Sequence, residues 1–275
     1  MDGTTVRSSP VSLQRAYGRL AVSVKPRGTH SVLHELRQEG CLKARFPRPD
    51  DPAWLQVVTL NTSGGVAGGD VLDAAFAVGV GARATIASLA AERFYRALPG
   101  SAASRMTTRI VVAACGAVEW LPQDTILFDR CAVQRRLCVE LAADAWFLGV
   151  ESLVFGRLAM GESVERASLR DVFEVRRAGR LLLHDAIRLD GQVAATLRRP
   201  AIAAGARAVA TLVHVARDAE AMLDPLRALG IAASAWDGML IARMLAPDSA
   251  TLRAAVVEAL WVLRDGRALP RVWLC

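Results

Sequence analysis

The chain has 275 residues, 53% of them hydrophobic and 22% charged, which excludes a disordered chain and provides for a sizeable core. Lys and Arg exceed Asp and Glu by 34 − 27 = 7, yet Lys25 and Lys43 are the only lysines and the arginines come singly or in pairs. The excess reads either as the arginine bias of GC-rich coding sequence or as affinity for an acidic protein. No aromatics interleave with it as a nucleic-acid surface requires.

The opening residues Met1-Asp2-Gly3-Thr4-Thr5 hold an acid and no apolar core, unlike a secretion signal. The apolar run 110–118 is nine residues long, short of the ~18 that cross a bilayer. Five cysteines, at 41, 115, 131, 138 and 275, are an odd number without close pairing. The expectation is a cytoplasmic protein with reduced thiols and no membrane or nucleic-acid partner.

Residues 12–24 alternate apolar and polar, and 28–46 lead into a turn with prolines at 47, 49 and 52. A buried strand over 57–60 runs into Asn61-Thr62-Ser63-Gly64-Gly65-Val66-Ala67-Gly68-Gly69-Asp70, and Val71-Leu72 begins another. Each glycine pair marks backbone of positive φ or close approach. A phosphate loop needs Lys-Ser/Thr after its last glycine, and a dinucleotide motif needs a helix there; Asp70 and the alternating sequence beyond it fit neither. Further strands are expected over 82–87, 107–113, 117–121, 136–141, 171–177, 180–184 and 206–215, with turns at Ala178-Gly179 and Asp190-Gly191.

The tail changes character. Residues 218–229 combine a capping acid, an apolar stripe and a closing Gly230, with Pro225 imposing a kink or two short turns. Residues 249–263 place Leu252, Val256, Leu260 and Leu263 on one helical face behind Asp248 or Ser249 as N-cap. The expected organisation is one domain, mostly β over 1–216, with a small helical part over 217–275 packed on it.

No self-contained catalytic site stands out. His30 and His34 share a face on helix or strand but lack a third ligand. Cys131 and Cys138 read as buried structural thiols, and His184-Asp185 is a single unspecific acid–base pair. No serine occupies a strand-turn-helix nucleophile elbow. Two dense segments remain: Ala91-Glu92-Arg93-Phe94-Tyr95-Arg96, and 119–128 with Glu119, Gln123 and Asp124. Each reads either as local structure (a salt-bridged surface, a strand entering a proline turn) or as interface, since Arg and aromatics are enriched there. Carboxylates without a His/Cys cluster suit passing contact with a divalent cation rather than tight capture.

In order and spacing, 61–70, 92–96, 119–128, Phe155-Gly156-Arg157 with Met160-Gly161-Glu162, Arg188-Leu189-Asp190-Gly191, Trp236-Asp237-Gly238 and Leu269-Pro270-Arg271-Val272-Trp273 resemble the urease accessory protein UreD family, called UreH in some organisms. The resemblance implies a non-enzymatic assembly factor, mainly β, with β-helix-like strands stacked in two layers and a small C-terminal helical part. It implies partners too: UreF, UreG recruited through UreF, and apo-urease. The assembly would deliver nickel to urease in a GTP-dependent step, with no tightly bound cofactor and nickel(II) only in transit. Gly64, Gly65, Gly68, Gly69 and Asp70 match the family's glycine loop, Glu92, Tyr95 and Arg96 its aromatic-basic motif, and Gln123 and Asp124 its Leu-Pro-Gln motif. Asp70, Glu92 and Asp124, then Glu119, are the carboxylates expected along a nickel passage. Many relatives carry His-Pro-Pro where this chain has Asn61-Thr62-Ser63, so no metal ligand is assigned there. The alternative is a hydrolase using Asp70 with His184 and Asp185. The C-terminal helix, Trp261, Trp273 and Leu274 provide for a sticky face that UreF would cover.

Overall fold

The structure, a computed structural model, describes residues 14–157 and 160–274. Residues 12–13 of the first expected strand and Cys275 lie outside that range. Alternation builds β1 (Tyr17–Arg27), with Leu20, Val22 and Val24 buried, and β1 folds back antiparallel onto β2 (His30–Gly40). A second hairpin, β3 (Leu42–Arg45) with β4 (Leu55–Asn61), belongs to another sheet. From there the chain winds between the two sheets. β5 (Val71–Val78) joins the first and β6 (Arg83–Ser88) the second, followed by the short β7 (Glu92–Phe94). β8 (Ser104–Val112) returns to the first, and β9 (Ala117–Leu121) goes to the second with the short β10 (Thr125–Leu127). β11 (Ala132–Leu141), β12 (Trp146–Phe155) and β13 (Arg166–Arg177) continue the alternation. Each circuit adds one parallel strand to each sheet, the stacked, β-helix-like two-layer architecture that the family resemblance implies.

The winding ends in antiparallel strands: β14 (Arg180–Gln192) on β13, then the short α1 (Val193–Leu197) and β15 (Ala208–Val215) on β12. The first sheet has seven strands in the order β14-β13-β11-β8-β5-β1-β2, with a register break between Ser23 and Val24 in β1 and another between Val175 and Arg176 in β13. In-register stacking explains its stability. Val22, Phe76, Ile110, Val139 and Val175 are successive partners across five strands, and each is at most 3% exposed. Each such burial contributes about 1.5–3 kcal/mol before chain entropy is counted.

The second sheet is covered on both faces. Along β12, Phe147, Leu153 and Phe155 enter the core between the sheets, and Leu148, Val150 and Val154 enter a second core under the helices. This is why β12 lacks the apolar–polar alternation that reveals a strand. The helical layer holds a 3-10 turn (Ala219–Met222), α2 (Leu223–Ala228), α3 (Ser249–Leu263) and a terminal 3-10 turn (Arg271–Trp273). α3 has the expected limits, with Leu252, Val256, Leu260 and Leu263 buried and Asp248 accepting the Thr251 amide at 2.7 Å.

Several expectations need correction. The tail over 217–275 is not wholly helical, because β16 (Ala232–Trp236) and β17 (Met239–Ala246) extend the second sheet beyond β15. Asp218 makes no side-chain cap, although the chain around Pro225 does form two short turns, one of the two forms expected. Asp190-Gly191 lies inside β14 rather than ending it. β7 and β10, three residues each, are too short to carry a period.

Candidate functional site

The glycine loop crosses from β4 in the second sheet to β5 in the first, and its glycines fit tight quarters. A Cβ on Gly65, at φ +148°, would stand 2.3 Å from the Tyr95 ring and 2.9 Å from the Arg93 carbonyl. Gly68 is hemmed by Ser101 and Ala97, and Gly69 (φ +87°) by Arg15; Gly64 (φ +78°) faces open space. Tyr95 donates its hydroxyl to the Gly64 carbonyl at 2.7 Å, and Phe94 bridges to Val66. Motifs some 30 residues apart in sequence are thus one unit. Arg96 is exposed beside it.

The four expected carboxylates do not line one passage. Asp70, 4% exposed, accepts the amides of Ala16 at 2.8 Å and Ala67 at 2.7 Å, so it closes the loop and fixes the approach to β1. Glu119 faces the helical layer, where it meets Thr85 Oγ1 at 2.6 Å, Arg264 and Arg267. Asp124 accepts from Ser249 at 2.6 Å, at the start of α3. Gln123 donates to the Val272 carbonyl at 2.6 Å and accepts from Arg253 at 2.8 Å, so the Leu-Pro-Gln motif seats the C-terminal layer. Only Glu92 of the four borders a large void. Both its oxygens accept from Asn61 Nδ2 at 3.2 Å, and burial pushes its carboxyl above the usual range against the pull of Asn61.

That void is a cavity of about 310 Å3 between the sheets, reaching from Gly64, Gly65 and Glu92 to Thr108, Arg135 and Glu151. A pinched space of about 10 Å3 follows, walled by Glu151, Asp171, Asp185 and Thr211. It shares Ile187 and Val209 with a cavity of about 410 Å3 beside α1. Registration explains this polar seam. In the first sheet, Met106, Arg135 and Asp171 are successive partners facing inward; in the second, Glu151, Thr211 and Arg243 are. Arg135 bridges the sheets, with Nη1 2.5 Å from Glu151 and a two-pronged bond to Asp171 at 2.8 and 2.6 Å. Burial alone would lower the Arg135 pKa, but Asp171 and Glu151 outweigh it and hold the guanidinium charged. Burial pushes Glu151 up despite Arg135.

Glu151, Asp171, Asp185 and Arg135 went unmarked as a group by sequence reasoning. Their one signal is a charged residue at an inward position of an otherwise apolar strand, as in Phe147, Gly149, Glu151, Leu153.

Other candidates are settled by position. His184 and Asp185 are consecutive on β14 and point to opposite faces, His184 to Glu174 at 2.8 Å and Asp185 to Arg243 at 2.7 Å, so they form no acid–base pair. His30 and His34 are exposed on β2, where His34 is the extra residue of the bulge. Among the described residues no three His, Cys, Asp or Glu side chains stand where they could hold a metal ion. The four described cysteines are free; Cys131 is buried, its thiol pushed up to about 12 by burial, whereas Cys138 is only half-buried. Trp273 is also buried, with its indole N–H on the Leu121 carbonyl at 3.0 Å, leaving Trp261 (57% exposed) and Leu274 (78%) on the surface. No helix among the described residues is long and apolar enough to cross a membrane.

Fold and site together define a class: a β-solenoid scaffold whose motifs knit its own chain around a polar interior seam, without a paired nucleophile and base among the described site residues. The profile of the UreD urease accessory protein family matches residues 16–274, and the chain belongs to that family. It is similar to the urease accessory protein UreD of Azorhizobium caulinodans, 44% identical over 266 residues, 94% of this chain and 97% of the relative. The UreD proteins of Dinoroseobacter shibae (46% over 268 residues, 95% and 93%) and Rhizobium leguminosarum bv. viciae (42% over 274 residues, 98% and 99%) are similar over comparable spans. Membership makes this an accessory protein of urease rather than an enzyme, and the hydrolase built on Asp70, His184 and Asp185 is set aside.

Proposed function

We propose that the chain serves urease maturation by seating UreF, and through it UreG, on apo-urease, and by passing nickel(II) toward the urease active site in the GTP-dependent step. The observation that carries the delivery half is the polar seam between the sheets. Glu92 stands at one cavity, and Glu151, Asp171 and Asp185 continue inward, giving oxygen ligands without a His/Cys cage. Oxygen donors hold nickel weakly, as transit requires. Nickel is cargo here, not a resident cofactor. The exposed Trp261 and Leu274 support a partner-covered face, so the chain made alone is expected to aggregate and UreF to rescue it.

A scaffold-only reading is favoured by Asp70, Glu119 and Asp124, which bind their own chain. Co-purification of the chain with UreF, UreG and apo-urease, followed by nickel analysis of urease, separates the two. Under the delivery reading, Glu92→Gln keeps the complex and lowers the nickel content of urease several-fold. An intact complex with normal nickel content would leave scaffolding alone.

A further inference from the structure

The polar seam is not open along its length. Between the cavities of about 310 and 410 Å3 it narrows to about 10 Å3, at most the room of one water and too little for a hydrated dication. Arg135 lines the larger cavity where it meets this neck, bonded to Glu151 and Asp171 of the neck wall. Its side chain is 11% exposed, with Glu151 at 12% and Asp171 at 14%, and its third partner is Thr125 Oγ1 at 2.8 Å. Two carboxylates and one guanidinium leave the cluster one positive charge short of balance. A dication arriving there would find two acids whose partner is a cation tethered to the first sheet. The other inward ion pair described between the sheets is placed differently: Asp185 walls the neck, but its partner Arg243 lines the cavity beyond, and both are more exposed, at 21% and 34%.

The geometry points to Arg135 as the gate of the seam: it closes the neck between Glu151 and Asp171, and nickel crosses only by replacing the guanidinium between those carboxylates. The inference rests on the delivery reading above. The gate is also tied to the outside. Thr125 belongs to β10, which pairs with Glu92 of β7, and the two residues before it hold α3 through Gln123–Arg253 and Asp124–Ser249. A partner that shifts the helical layer therefore pulls on a residue that holds Arg135.

The test uses the reconstituted complex of the full chain with UreF, UreG and apo-urease, supplied with nickel sulfate without nucleotide, and reads nickel per urease against time. The double variant Arg135→Gln with Asp171→Asn removes the guanidinium and keeps the cluster's net charge. With assembly intact, it is expected to raise nucleotide-independent transfer several-fold over wild type. An unchanged rate would overturn the gate. Should that variant fail to assemble, Arg135→Met with Glu151→Leu and Asp171→Leu replaces the cluster by an apolar plug, an exchange that buried ion clusters often tolerate. The plug is expected to assemble and to abolish nucleotide-driven nickel transfer. Normal transfer through it would show that nickel does not cross at this neck, and so overturn the gate as well. The Glu92→Gln complex, run in parallel, separates the two failures. If it loses transfer while the gate variants do not, the gate alone is wrong; if none changes transfer, the delivery reading fails.

Discussion

Glu119 receives Nε and Nη2 of Arg264 at 2.9 and 3.1 Å, joining the middle of the second sheet to the residue that ends α3, with neither side chain more than 3% exposed. Arg267, stacked over Trp54 at 4.1 Å, adds a second guanidinium at 2.5 Å. A fully buried carboxylate is tolerated because every lone-pair direction is answered. Glu119→Ala therefore leaves buried positive charge unpaired and is expected to cost about 3–5 kcal/mol. Urea unfolding of the purified complex checks this, and a loss under about 1 kcal/mol would mean the pair is not what holds the helical layer.

Asp70 is expected to behave as a structural residue. Asn keeps one acceptor oxygen and turns an N–H2 toward one of two donors, the Ala16 or Ala67 amide. Asp70→Asn should cost about 1–3 kcal/mol and speed hydrogen exchange at those two amides before others in the first sheet. Unchanged exchange there would remove the carboxylate's assigned role.

The two glycines of the first pair should rank in a fixed order. Gly64→Ala meets open space and only the strain of φ +78°, about 1 kcal/mol. Gly65→Ala adds a methyl 2.3 Å from the Tyr95 ring, so Tyr95 must leave and its bond to Gly64 is lost. Thermal melting should place Gly65→Ala clearly below Gly64→Ala, and equal melting points would count against the packing of loop on ring.

Buried His214 gives a pH dependence. Burial lowers its pKa, and its ring sits against Trp146 with Nδ1 3.3 Å from the Phe147 carbonyl. The unfolded chain then binds the proton more readily, so stability is full above the unfolded value of about 6.5 and falls as pH drops from there toward the lowered folded value. Unfolding midpoints measured from pH 7.5 to 5 should decline through that window (the range runs about one unit above that value and somewhat more below it), and the decline should be smaller in His214→Gln.

Sequence made the fold legible where one face of a strand meets solvent. β1 alternates, α3 carries its stripe and cap, and both were located from residue types alone. β12 escaped because both faces are buried, and β16 and β17 because they follow helical turns in a tail that composition marks as helical. The motifs were found but their roles were not. Asp70, Glu119 and Asp124 are conspicuous in sequence and turn out to bind amides, arginines and a serine of the same chain. The seam residues are the converse case, since Arg135, Glu151 and Asp171 are unremarkable singly and meet only through registration across two sheets.

The two register breaks in the first sheet, between Ser23 and Val24 and between Val175 and Arg176, fall in the terminal hairpins that flank the parallel strands. A stack built by adding like circuits has no inherent length, and its last strand is a template for another molecule. Here both outer strands, β2 with Glu35, Arg37 and Glu39 and β14 with Arg180, Asp185 and Arg188, are charged and antiparallel, and each pairs with its neighbour through a bulge that breaks the regular spacing. A second copy finds no matching ladder to extend, so the solenoid is terminated against fibrous growth at both edges of its first sheet.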